Sequence, residues 1–207
     1  MPDVSGNYGN NCSVLDTPFI NNCAYDAPRS MLEHIYNATM KAAVPAAADG
    51  LIEFDQTLYT PLHTPDLSSM GPMGYLYVPS GCRSSGAGDA TPCRLNVAFH
   101  GCKQTLSDIG QQFVLHSGLN ELAEANNIVI LYPQVSHPRA ACRLELRASY
   151  MPVQFCPSQA VRSPDIPYNT QGCWDFWGYT GEDYACKLGL QIEAVANMVK
   201  RLAGSFE

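Results

Sequence analysis

The run Ile128-Val129-Ile130-Leu131-Tyr132 most constrains what this chain can fold into. It is apolar without interruption, between Asn126-Asn127 and Pro133-Gln134, and so has no polar face to turn toward water. A strand of that kind is expected to be buried on both sides, with further layers above and below it. Upstream, Leu95, Val97 and Phe99 alternate with Asn96 and Ala98, the period-two pattern of another strand. Between the two, Ile109, Phe113, Leu119, Leu122 and Ala123 recur at helical spacing, behind a Ser107 suited to capping a helix. Strand, helix and strand over 95–132 predict a parallel crossover, and with it an α/β fold.

Other elements follow from the same signals. Asp26, Pro28 and the apolar Met31, Leu32 and Ile35 predict a helix over 27–43, and 51–54 reads as a short strand. Gly74–Val78 reads as a strand ended by Pro79, and with 94–99 it predicts a hairpin. Leu188, Ile192, Val195, Val199 and Leu202 predict one apolar helix face over 188–203. Residues 1–26 read as an ordered loop, and 133–172 as a long proline-rich surface excursion. At 207 residues the chain suits a single domain or part of a larger one.

Nine cysteines are many for a reducing compartment. Cys12/Cys23 and Cys82/Cys93 bracket short polar loops, Cys142/Cys156 offers a third bracket, and Cys186 is the expected leftover thiol. Each bridge over such a span would stabilise by about 3 kcal/mol. No C-x-x-C or H-x-x-x-H spacing occurs, so neither a metal nor another cofactor is expected. The disulfides predict secretion, yet the N-terminus has no basic and apolar leader, so the natural start is expected to lie upstream. Two sequons, Asn11-Cys12-Ser13 and Asn37-Ala38-Thr39, would accept glycans in a eukaryotic secretory route. A net charge of −7 without any Lys/Arg run argues against nucleic acid and anionic membrane as partners. No apolar run approaches the roughly 18 residues of a membrane span.

Chemistry concentrates where the strand at 95–99 runs into His100-Gly101-Cys102. A glycine there lets the backbone turn sharply, and such turns supply a donor to the oxyanion hole of acyl-transfer enzymes. The matching nucleophile motif, G-x-S-x-G, is missing: Ser5, Ser80, Ser85 and Ser117 each precede a glycine, but none follows one at the required spacing. None of His34, His63, His100, His116 and His137 has a serine or cysteine placed as its nucleophile partner. A triad from Ser117, His116 and Asp108 would need neighbouring helical side chains to converge, and helix geometry splays them. His100 is expected to hold the turn by hydrogen bonds, and Trp177 to be core.

The segments NCSVLDTPFINNCAYDAP, GYLYVPSGC, CRLNVAFHGCKQ, NNIVILYPQ and GCWDFWGY, in that order, span essentially the whole chain. Together they resemble the extracellular poly(3-hydroxybutyrate) depolymerases, in particular the circularly permuted, single-domain type. The resemblance implies an incomplete, half α/β-hydrolase-like fold: a central, mostly parallel sheet with flanking helices and disulfide-stapled loops. It implies that serine, aspartate and histidine of the triad lie in a preceding N-terminal half, ending just before Met1, so that this chain alone is inactive. By the same resemblance the Cys102 N–H is an oxyanion donor, Cys102 and Cys173 form a disulfide, Trp174 stands at the substrate crevice, and Asn169 is a polar neighbour on its rim. The excursion over 135–168 departs from the family pattern in length and adds Cys142 and Cys156. The implied substrate is poly(3-hydroxybutyrate) or a related short-chain ester. The alternative is an inactive polymer- or glycan-binding module or relic, for which Tyr75, Tyr77, Trp174 and Tyr179 would have to share one face.

Overall fold

In the computed structural model, residues 8–61, 68–83, 93–137 and 169–204 are described. Strands β1 (Asn10–Asn11) and β2 (Asn21–Asn22) pair in parallel, and Cys12–Cys23 closes the loop between them. Helix α1 (Ala27–Tyr36) begins where the Asp26 carboxylate accepts the Arg29 N–H, with proline in its first turn. It stops at Asn37, whose left-handed backbone (φ 46°) returns its N–H to the Glu33 and His34 carbonyls. The helix expected to reach residue 43 therefore ends one residue before Asn37.

Strand β3 (Leu51–Asp55) leads into a 3-10 turn over Gln56–Tyr59, and β4 (Met73–Tyr77) into the short helix α2 (Ser80–Arg83). The Cys82–Cys93 disulfide then joins α2 to the start of β5 (Arg94–Val97). Between β5 and β6 (Ile128–Tyr132) the helix is in three pieces: α3 (Leu106–Ile109), α4 (Gln112–His116) and α5 (Leu119–Asn126). The breaks fall at Gly110 (φ 59°) and Gly118 (φ 76°), a backbone region that glycine enters without a steric cost. The first piece is capped from Thr105, whose N–H and hydroxyl both donate to the Asp108 carboxylate, and not from Ser107.

Sheet order is β3-β4-β6-β5. β5 runs parallel to β6, Leu95 opposite Val129, which is the crossover expected from the sequence. β4 runs antiparallel to β6, Tyr75 opposite Tyr132. The hairpin expected between 74–79 and 94–99 therefore does not form, and the described sheet is mixed where a mostly parallel one was expected. The reason is burial: all five residues of β6 are buried, so β6 takes an interior position and separates the two runs. Leu32, Tyr75, Tyr77, Leu122, Ile128 and Ile130 pack into one core around it. The Tyr132 hydroxyl, buried in that core, donates to Asn120 Oδ1 at 2.7 Å, and burial pushes its pKa up.

The chain divides into two compact units, and the sheet core lies in the one formed by 1–54 and 73–133. The other comprises 55–72 and 134–207. Within it, the fully buried Gln56 donates from Nε2 to the carbonyls of Gly71 and Gln134 and accepts the Gln134 N–H. Its helix, α6 (Leu190–Ala203), buries Gln191, Ala194, Val195 and Met198. Leu188 precedes the helix, and both it and Ile192 are exposed, at 68% and 43%. The expected apolar stripe is thus rotated, because Gln191 is drawn inward to the Ser68 carbonyl and the Tyr179 hydroxyl. His63, Cys142, Cys156 and residues 138–168 of the excursion lie outside the described residues. Among the described residues no helix is long and apolar enough to cross a membrane.

The rotation separates two neighbouring substitutions. Met198→Ala should cost about 2–5 kcal/mol in urea unfolding, and Ile192→Ser no more than about 0.5 kcal/mol. The reverse order would restore the face read from the sequence.

Candidate functional site

The alternation of β5 continues past its end and delivers Asn96, Ala98 and His100 to the interior, while Phe99 is half exposed. His100 Nδ1 lies 2.8 Å from the Gly101 carbonyl oxygen. A carbonyl only accepts, so Nδ1 carries the proton and the ring donates to the backbone of its own turn. The edge of Phe113 packs against the same ring. His100 therefore holds the turn, as expected.

The turn is fixed from its other side by Gln104, itself buried. The Gly101 N–H donates to Gln104 Oε1 at 2.7 Å, and Gln104 Nε2 donates to the Pro18 and Phe19 carbonyls, each at 3.1 Å. A Cβ at position 101 would stand 2.9 Å from Gln104 Oε1, so a side chain there would push the end of Gln104 aside. Lys103 adopts a left-handed conformation (φ 60°), and its ammonium lies 5.8 Å from the centre of the Phe19 ring. Residues 101–103 are exposed, and Cys102 is a half-cystine. With the Gly101 amide committed to Gln104, the next amide along the turn is that of Cys102.

His34 is exposed on α1, and His116 stacks on Tyr8 with ring centres 3.6 Å apart. Ser117 is fully buried beside the Tyr132 hydroxyl, and Asp108 is engaged with Thr105. The rival triad of Ser117, His116 and Asp108 is therefore not presented to a substrate. Among the described residues no group of three or more His, Cys, Asp or Glu side chains could hold a metal ion.

The second unit carries the Cys173-Trp174 segment. Asn169 is fully buried, and its amide is fully used there. Oδ1 accepts the Cys173 N–H at 2.7 Å, while Nδ2 donates to the Cys173 carbonyl and the Tyr179 hydroxyl. The Tyr179 hydroxyl donates to that same Cys173 carbonyl and accepts from Gln191 Nε2. Asn169, expected as a polar neighbour on the rim of the crevice, holds the backbone of Cys173 with its side chain. One residue past Trp174, the Asp175 carboxylate accepts the N–H groups of Trp177, Gly178, Tyr179 and Thr180 and the Thr180 hydroxyl. Trp174 and Trp177 are both half-buried, and Trp177 packs between Phe176 and Tyr179. The roles of Gln104, Asp175, Tyr179 and Gln191 were missed in the sequence; the one local signal was a long amide side chain three residues beyond the turn glycine.

No protein-family model matches the chain. It is 36% identical over 203 residues to a poly(3-hydroxybutyrate) depolymerase of Delftia acidovorans, covering 97% of this chain and 33% of that enzyme. It is 31% identical over 205 residues to a polyhydroxybutyrate depolymerase of Talaromyces funiculosus, covering 99% of this chain and 53% of the other. Among solved structures, the PHB depolymerase of Penicillium funiculosum matches with a TM-score of 0.71 at 30% identity, over 96% of this chain and 54% of that one. The chain is homologous to part of the PHB depolymerases. It spans from a third to about half the length of these relatives. A PHB depolymerase complexed with an R3HB trimer matches equally well.

A buried amide that bonds a backbone on both sides should not tolerate loss of its donors. Asn169→Asp keeps an acceptor for the Cys173 N–H but sets a second oxygen against the Cys173 carbonyl. It should cost about 1–3 kcal/mol in chemical unfolding, whereas Thr170→Ala, on an exposed neighbour, should stay within about 0.5 kcal/mol.

Proposed function

We propose that this chain is the carbonyl-receiving part of a secreted serine esterase that hydrolyses poly(3-hydroxybutyrate) or related short-chain polyesters. The observation that carries the reading is the turn at the end of β5. Its first amide is consumed by Gln104, in a chain that matches the PHB depolymerases along nearly its full length. A relative with R3HB trimer bound supports the choice of a polyester substrate.

In this reading the chain is a half α/β-hydrolase-like partial domain that needs a second segment. That segment would bring the serine, histidine and aspartate from the part of the relatives that this chain does not span. The serine oxygen attacks the ester carbonyl carbon as histidine takes its proton, while aspartate orients the imidazole. The carbonyl oxygen gains negative charge, and the Cys102 N–H donates to it. Loss of one such donor costs roughly 2.7–4 kcal/mol of barrier. Collapse of the intermediate breaks the ester C–O bond, and the leaving alcohol takes the proton from histidine. Water then attacks the acyl-enzyme by the same relay and frees the acid.

A Cys102–Cys173 disulfide, implied by the family resemblance, would join the turn to the Trp174 segment. Both residues are half-cystines, which supports it. Trp174 would then offer an apolar wall to the polymer chain, and Asn169 would act through the Cys173 backbone. The disulfides Cys12–Cys23 and Cys82–Cys93 favour an oxidising, extracellular setting.

The test is turnover of p-nitrophenyl butyrate by the chain alone and by the chain fused behind the segment of the Talaromyces relative that this chain does not span. The fusion is expected to turn over and to lose activity with a serine-directed inhibitor, while the chain alone stays at the buffer rate. Inhibitor-sensitive turnover by the chain alone would contradict the division of labour. An inactive fusion that still adsorbs to polyester granules would favour the binding-module reading.

A further inference from the structure

A side chain can choose which amide of a turn a substrate meets without touching that substrate. We propose that Gln104 is a positioning residue for the reaction. By taking the Gly101 N–H and gripping the 12–23 loop, it directs the Cys102 amide toward the ester oxygen. This rests on the oxyanion role given to Cys102 above.

The geometry assigns Gln104 three simultaneous bonds from one buried amide. Oε1 accepts the Gly101 N–H at 2.7 Å, and the two hydrogens of Nε2 go to the Pro18 and Phe19 carbonyls at 3.1 Å. The side chain is only 8% exposed, so water does not substitute readily for a lost partner. The anchor it holds is itself stiff. The 12–23 loop is closed by Cys12–Cys23. Asn10 Nδ2 donates to the Asp16 and Thr17 carbonyls, and Asn21 Nδ2 donates to those of Asn11, Cys12 and Val14. Phe19, one of the two residues gripped by Gln104, also lies under the Lys103 ammonium. The turn is thereby tied to that loop through Lys103 and Gln104, and Gln104 carries the tie back to Gly101 on the other side of Cys102.

Two consequences follow. Without Gln104, the Gly101 amide would be released and could compete with Cys102 for the carbonyl oxygen at a different position. The turn would also lose the two bonds that tie it to the Pro18 and Phe19 carbonyls. An oxyanion donor acts by standing ready where charge will develop, so a small displacement of the amide lowers turnover more than it weakens binding of the neutral ester.

Two variants separate this role from a general loss of folding. Gln104→Met keeps the length and removes all three bonds. Gln104→Glu keeps an acceptor for the Gly101 N–H and removes the donors to Pro18 and Phe19. In the chain alone, amide exchange by NMR should show Gly101 protected in the native sequence, exposed in Gln104→Met, and partly protected in Gln104→Glu, with the β6 amides unchanged. In the fusion enzyme, Gln104→Met should lower kcat by about 10²-fold, the scale of one misplaced oxyanion donor, with KM within about twofold. Gln104→Glu should fall between Gln104→Met and the native enzyme. Unchanged Gly101 exchange in Gln104→Met overturns the proposal, as does unchanged kcat in an active fusion. A rise in KM at constant kcat overturns it too, because it would mark Gln104 as a binding residue. An inactive native fusion overturns the oxyanion role of Cys102 and this proposal with it; Gly101 exchange then reports only on the turn.

Discussion

A strand apolar on both faces has to be enclosed, and the arrangement of this chain follows from enclosing β6. Its hydrogen-bonding edges are filled by β5 on one side and β4 on the other, while Leu32, Leu122 and Val114 belong to the core around it. Because β5 lies parallel to β6, the parallel ladder brings His100-Gly101-Cys102 out beyond the end of the sheet, where residues 101–103 are exposed. The position of the turn is thus a consequence of how the core is closed. Crevices at the carboxyl ends of parallel strands are where α/β sheets bind their ligands.

The turn at Gly101 and the segment at Cys173 each depend on the same device. In each, a buried side-chain amide uses its acceptor and both donors on polar groups that surround one short stretch of chain: Gln104 at the turn, Asn169 at Cys173. Such groups are costly to bury unpaired and stiffen the backbone when fully paired. Such bracing would suit the oxyanion role proposed for Cys102, in which an amide N–H is held still while charge builds on a substrate oxygen. In neither case does the amide itself need to meet the substrate.

What the sequence revealed was whatever is decided locally. The β5–β6 crossover, the start of α1 at Asp26 and the turn at Gly101 all came from patterns a few residues long. The position of β4 did not, because its partner β6 lies more than fifty residues away and the choice belongs to burial across the sheet. The helix read behind Ser107, through Ile109, Phe113, Leu119, Leu122 and Ala123, is broken at Gly110 and Gly118, glycines that apolar spacing alone does not weigh. The face of α6 failed at Gln191, a polar residue turned inward by partners at Ser68 and Tyr179. The same limit hid the function of Gln104, whose carbonyl partners lie 85 and 86 residues before it.

The proposal to be tested first is the Cys102–Cys173 bridge, which the family resemblance implies and on which the role given to Trp174 depends. The most direct test is mass spectrometry of the chain digested without reduction. A single cross-linked species containing both Cys102 and Cys173 is the expected result. Peptides linking either residue to Cys142 or Cys156 would contradict it.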